Sequence, residues 1–133
     1  GTCVAAGTCT QSLLESGSVG AGIRTFANSQ VTDNVCRNNF YGIRISSTDT
    51  YVSDNIVTGN SHAGLTLSSS GSFAIRNRAQ NNGFNPIPSA TTASGNYTIL
   101  NNASFGPIID LSSTTGNLLS IPGINHPYAN FIY

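Results

Sequence analysis

The sequence predicts an all-β fold, a single-stranded solenoid of about five stacked coils closed by a C-terminal cap. Three observations carry that prediction. One phrase recurs as Val31-Thr32-Asp33-Asn34-Val35-Cys36-Arg37-Asn38-Asn39, as Val52-Ser53-Asp54-Asn55-Ile56-Val57-Thr58-Gly59-Asn60, and as Ala74-Ile75-Arg76-Asn77-Arg78-Ala79-Gln80-Asn81-Asn82. Its asparagines keep register, with Asn34, Asn55 and Asn77 spaced 21 and 22 residues apart and Asn39, Asn60 and Asn82 spaced likewise. Inside the phrases apolar residues alternate with polar ones, the period of a half-buried strand, and no helical stripe competes with it.

Residues 1–19 read as a degenerate first coil, because Cys9 and Leu14 precede Val31 and Cys36 by 22 residues each. Residues 20–82 hold the regular coils. A second phrase, Gly22-Ile23-Arg24-Thr25, Gly42-Ile43-Arg44-Ile45 and Gly64-Leu65-Thr66-Leu67, adds another short strand per unit. Stacking the units gives the expected core: Val31 over Val52 over Ala74, Cys36 over Val57 over Ala79, Ile43 over Leu65 and Ile45 over Leu67. One unit cannot bury its apolar face alone, so neighbours stack at the strand spacing of about 4.8 Å. Asparagine tolerates the left-handed turns, and its amide can bond the Asn one coil away.

Pro86 and Pro88 interrupt the rhythm, so residues 83–94 read as a loop thrown out of the solenoid. Residues 95–111 resume as a last coil, in which Gly106-Pro107-Ile108-Ile109 stands for the Gly-Ile-x-Ile phrase. Residues 112–133 lose the repeat but carry Leu118, Leu119, Ile121, Ile124, Tyr128, Phe131, Ile132 and Tyr133. That apolar load suits a cap over an edge that would otherwise template other chains. The same cap is a candidate contact for a homo-oligomer, the alternative being a monomer.

At 133 residues the solenoid uses the whole chain as one domain. Charged residues make up 8%, none is lysine, and the formal net charge is zero, which leaves no basic face for nucleic acid. No apolar stretch approaches the roughly 20 residues of a bilayer span, so membrane insertion is not expected. Cys36 falls in a core column and reads as a small buried apolar residue. Cys3 and Cys9 either bridge each other, or Cys9 is buried above Val31. No Cys or His pair has metal-ligand spacing.

Candidate chemistry sits in two outward columns. Asp33 and Asp54 occupy one position in successive coils and Arg76 takes it in the next. Carboxylates about 5 Å apart beside a guanidinium could hold Ca²⁺ and neutralise a uronate, or act as an acid–base pair. Asp33, Asp54 and Arg76 are therefore the candidate catalytic residues, and Ca²⁺ the one cofactor considered. The bland alternative is that Asp suits a turn and that Asp54 and Arg76 form a surface ion pair of little energetic weight. Arg24 over Arg44, with Thr66 below, forms the second column, where a sugar carboxylate or sulfate would relieve the like charges. His62, at a coil corner and able to titrate near neutrality, joins them as a candidate substrate-binding residue.

Between residues 22 and 82 the pattern Val-x-x-Asn-x-Val-x-x-Asn, followed by Gly-Ile-x-Ile, resembles the repeat of the pectin-lyase-like family of right-handed parallel β-helices. The tail, Gly106-Pro107-Ile108-Ile109 and His126-Pro127-Tyr128-Ala129-Asn130-Phe131, resembles the ending of secreted bacterial β-helix proteins of unassigned activity. The resemblance implies a right-handed parallel β-helix in an extracellular or secreted bacterial or phage protein. It specifies a fold better than a reaction. The clustered Asp motifs and Gly-His segment of polygalacturonase-type enzymes are absent, and so is the set of acids with a basic residue of pectate-lyase-type sites. The sequence therefore reads as a non-catalytic extracellular module that recognises polysaccharide or cell-surface glycan, or serves as a rigid scaffold. The alternative is a small polysaccharide lyase or uronate epimerase acting on acidic glycans through Asp33, Asp54, Arg44 and Arg76.

Overall fold

Each unit of the repeat folds into three short strands because its apolar residues alternate and its Asn, Asp and Gly residues accept the left-handed corners between them. A computed structural model describes residues 8–9, 20–25, 27–83, 92–93, 95–100, 103–110 and 126–132. Strand β1 (Thr8–Cys9) precedes three regular units. These are β2 (Ala21–Thr25), β3 (Gln30–Thr32) and β4 (Val35–Arg37); β5 (Tyr41–Ile45), β6 (Tyr51–Ser53) and β7 (Ile56–Thr58); and β8 (Ala63–Leu67), β9 (Phe73–Ile75) and β10 (Arg78–Gln80). Then follow β11 (Thr92–Ala93), β12 (Tyr97–Ile99), β13 (Ser104–Phe105), β14 (Ile108–Asp110) and β15 (Asn130–Ile132).

Equivalent strands of successive units pair in parallel, giving three sheets. The first runs β11-β12-β8-β5-β2, the second β13-β9-β6-β3 and the third β1-β4-β7-β10-β15-β14. Among the described strands only β11 with β12 is antiparallel. No helix occurs among the described residues, and the architecture is a parallel β-helix.

The ladder register reproduces the expected columns: Val31, Val52 and Ala74; Cys36, Val57 and Ala79; Ile43 and Leu65; Ile45 and Leu67. Each of these side chains is at most 1% exposed. At about 1.5–3 kcal/mol for burying a Val, Leu or Ile side chain, this continuous stack is the main favourable term of the fold.

Two asparagine ladders run beside it. Asn34 donates through Nδ2 to Oδ1 of Asn55 at 3.1 Å, Asn55 to Asn77 at 2.9 Å, and Asn77 to Asn130 at 3.1 Å. Asn39 donates likewise to Asn60 at 3.3 Å, Asn60 to Asn82 at 2.7 Å, and Asn82 to Asn96 at 2.9 Å. The second ladder explains the glycine of the Gly-Ile-x-Ile phrase. A Cβ on Gly42 would meet Nδ2 of Asn60 at 2.7 Å and the carbonyl oxygen of Gly64 at 2.6 Å. Gly22 and Gly64 stand in the same relation to Asn39 and Asn82. The two phrases are thus one device, a buried amide and the space that admits it.

The structure departs from the sequence reading in three places. Cys9 pairs with Cys36 and not with the Val31 column, because β1 joins the third sheet. Tyr97-Thr98-Ile99 takes the register of Leu65-Thr66-Leu67, so the counterpart of the Gly-Ile-x-Ile phrase is β12 and not residues 106–109. Tyr97 and Ile99 alternate around Thr98 and turn into the core, and the Tyr97 hydroxyl is 2.7 Å from the carbonyl oxygen of Asn77 and 2.9 Å from that of Phe131. Finally, β15 does not lie over the end of the third sheet but enters it between β10 and β14. Asn130 there supplies the amide that continues the first ladder.

Candidate functional site

The turn from the second sheet to the third holds Asp33, Asp54 and Arg76, with φ values of 57°, 59° and 55°. Aspartate adopts this left-handed conformation readily and arginine does not. Arg76 is held there by Asp54: Nε donates to Oδ1 and Nη2 to Oδ2, both at 2.7 Å, a bidentate charge-assisted pair. The two side chains remain 41% and 35% exposed. The hydrogen bonds from Arg76 hold the Asp54 carboxyl below its ordinary range, against the smaller opposing effect of burial, and the carboxylate in turn raises Arg76. Asp33 is exposed and makes no ion pair among the described residues.

Asp54 and Arg76 form one wall of a cleft of about 390 Å³. The coils also contribute Ile56 and Arg78, and the returning tail contributes His126, Pro127 and Phe131. Ile56, Arg78 and Phe131 are ladder partners on β7, β10 and β15, so they follow one another down one column of the third sheet. Arg78 is exposed and has no ion-pair partner among the described residues. With Asp54 matched by Arg76, the cleft keeps the positive charge of Arg78.

The other predicted residues gather elsewhere. Arg24 and Arg44 are paired in register on the first sheet. Arg24 is exposed, while the Arg44 guanidinium lies 4.9 Å from the centre of the Tyr41 ring. His62 stacks on Phe40 at 4.3 Å and meets Tyr41 edge-on at 4.7 Å. Burial, and secondarily the charge of Arg44, push its pKa below the ordinary histidine value. Arg44 and His62 therefore meet around Tyr41, whereas Asp54 and Arg76 meet at a different corner. The six candidates do not converge on one centre. Sequence reasoning missed Arg78, His126 and Phe131. The outward position of Arg78 next to Ile56 was a legible signal, but the return of the tail to the same corner was not.

Comparison with known proteins gives one family. Residues 4–120 match the family described as periplasmic copper-binding protein (NosD). No curated protein and no solved structure gives a significant match. The family's periplasmic location agrees with an exported protein, and no described helix is long and apolar enough to cross a membrane. The expectation of no cofactor, with Ca²⁺ the one ion considered, is corrected by this finding, because the family's metal is copper. Geometry adds a reason against Ca²⁺ at Asp33 and Asp54, since both oxygens of Asp54 are taken by Arg76.

The described side chains do not make a copper centre either. Copper selects thiolate, thioether and imidazole ligands. Among the described residues no three His, Cys, Asp or Glu come together, and the sequence contains no methionine. Cys36 lies wholly inside the core. His62 and His126 pack against different aromatic partners, Phe40 and Tyr41 for one and Tyr128 for the other. With its parallel coils and a match that covers most of its 133 residues, the chain belongs to the NosD family of periplasmic copper-binding proteins, a parallel β-helix family.

Proposed function

We propose that this chain is a non-catalytic periplasmic or extracellular β-helix module that recognises carbohydrate at the Asp54–Arg76 cleft. The observation that carries the reading is the bidentate pair at 2.7 Å. A carboxylate whose two oxygens are both engaged, and whose proton affinity is lowered, is a poor general base near neutral pH. Glycoside hydrolysis by paired acids needs two carboxyl groups flanking the bond, and Arg76 faces Asp54 where a second acid would be required. What the pair does offer is a fixed polar rim beside the apolar Ile56, Pro127 and Phe131, a combination suited to the polar edge and apolar face of a sugar. The rigid coils hold it in place before any ligand arrives, which reduces the entropy cost of binding.

The test is ultraviolet absorbance during incubation with uronate polysaccharides, run beside a glycan-binding panel, for the wild-type chain and Asp54→Ala. The reading expects glycan binding with no unsaturated product. Product formation that Asp54→Ala abolishes would replace it with a lyase.

A further inference from the structure

We infer that the ligand of the Asp54–Arg76 cleft is an anionic oligosaccharide, its acid group taken by Arg78 and a neighbouring sugar face laid on the rings of Tyr51 and Phe73. The inference rests on the carbohydrate reading above and adds its chemical class and its path across the corner.

Charge is the first argument. Asp54 satisfies Arg76, and no acidic side chain among the described residues pairs with Arg78. Arg78 stands between Ile56 and Phe131 in the ladder, so its guanidinium projects from an apolar frame. A planar guanidinium in such a frame is best matched by a ligand that brings its own carboxylate or sulfate and can accept two parallel hydrogen bonds. Arg76 helps, because Nε and one hydrogen of Nη2 are spent on Asp54 while the side chain stays 41% exposed, which leaves N–H groups to offer to ligand oxygens.

Shape is the second. Tyr51 and Phe73 are ladder partners on the second sheet, and their rings lie 6.2 Å apart and within 20° of parallel. Phe73 is 38% exposed. From Phe73 to Arg78 is five residues, so their Cα atoms are at most about 17 Å apart, within the reach of a short oligosaccharide. The ion pair lies between them, at the turn. A ligand of this kind would cross from the second sheet to the third along one coil, with a sugar face on the rings, hydroxyls at Asp54 and Arg76, and the acid group at Arg78. A polyphosphate is a poorer match, because the chain has no lysine and zero net charge.

Isothermal titration of the full chain decides the matter with three probes: a trisaccharide of hexuronic acid, the same trisaccharide with its carboxyls reduced to alcohols, and a sulfated neutral trisaccharide. The inference expects at least one acidic probe to bind ten-fold or more tightly than the reduced one, with a margin that shrinks at high salt. Comparing the uronate with the sulfated sugar tells which anion is preferred. Arg78→Gln should remove the margin, and Phe73→Ala should weaken all probes about ten-fold. Both residues are exposed, so the thermal midpoints of the variants serve as the folding control. Equal binding of the acidic and reduced probes would overturn the inference and leave the carbohydrate reading intact. Absence of binding by every probe would overturn both.

Discussion

Asn55 shows how one side chain ties three coils together. Its Nδ2 lies 2.9 Å from the carbonyl oxygens of Val31 and Ser53 and from Oδ1 of Asn77, and its own Oδ1 accepts from the backbone N–H and the Nδ2 of Asn34. All of this is buried. Asn55→Ala would leave several buried donors and acceptors without partners, at about 1–3 kcal/mol for each orphan, so we predict a loss of about 3 kcal/mol or more in chemical denaturation. A loss below about 1 kcal/mol would contradict the ladder as a source of stability. Titrating residues set a second prediction. His62 has a depressed pKa in the folded chain, so the unfolded chain binds its proton more readily. Its contribution is whole above about pH 6.5 and erodes as the pH falls below it. Asp54, also depressed, keeps its contribution above about pH 3.9 and loses it as the pH falls through the lower folded value. The thermal midpoint should therefore drop between about pH 7 and about pH 5, and His62→Phe, which can keep the stack on Phe40, should flatten that drop. An unchanged slope in the variant would mean that other groups set the pH dependence.

Strands of three residues are too short to stand alone, and what fixes each is its ladder neighbour. Residues 20–82 were legible for that reason, since a periodic column of apolar residues and asparagines states its own register. β12 and β15 were not. The sequence near Gly106 resembles the earlier phrase, yet Tyr97 wins the core position because its ring fills the column and its hydroxyl reaches the backbone carbonyls of Asn77, in the turn before β10, and of Phe131 in β15. Asn130, far along the chain, takes the place of a ladder residue one coil on, a substitution that no local spacing announces. The returning strand also brings His126 and Phe131 to the cleft, so half of the candidate site was hidden in the same way. Tyr97→Phe removes the hydroxyl and should raise amide hydrogen exchange in β15 more than in β5 or β6. Uniform acceleration across all strands would show that β15 has no separate dependence on this contact.

For the whole molecule, stacked coils make a stiff rod whose outer columns are addressed by sequence position, and function lies in what those columns present. The sequence placed Asp33, Asp54 and Arg76 in one column and left open a reactive role or a surface Asp54–Arg76 ion pair; the geometry forms that pair and gives Asp33 no ion pair among the described residues. The expected Arg24, Arg44 and His62 group divides, with Arg44 and His62 packed on aromatic rings. A low-charge surface with a cleft that sets the unpaired Arg78 guanidinium beside apolar side chains is the arrangement of a recognition module, because a local positive charge on a near-neutral protein attracts an anion to that cleft.

The central claim, recognition without chemistry at this corner, is tested most directly by one nuclear magnetic resonance titration of the labelled chain with a hexuronic acid trisaccharide. The account predicts shifts confined to the signals of Arg76, Arg78, Tyr51, Phe73 and their neighbours, while the sugar spectrum stays that of intact trisaccharide over the course of the experiment. New unsaturated-sugar or epimer signals, or saturable shifts centred on Arg44 and His62, would contradict it.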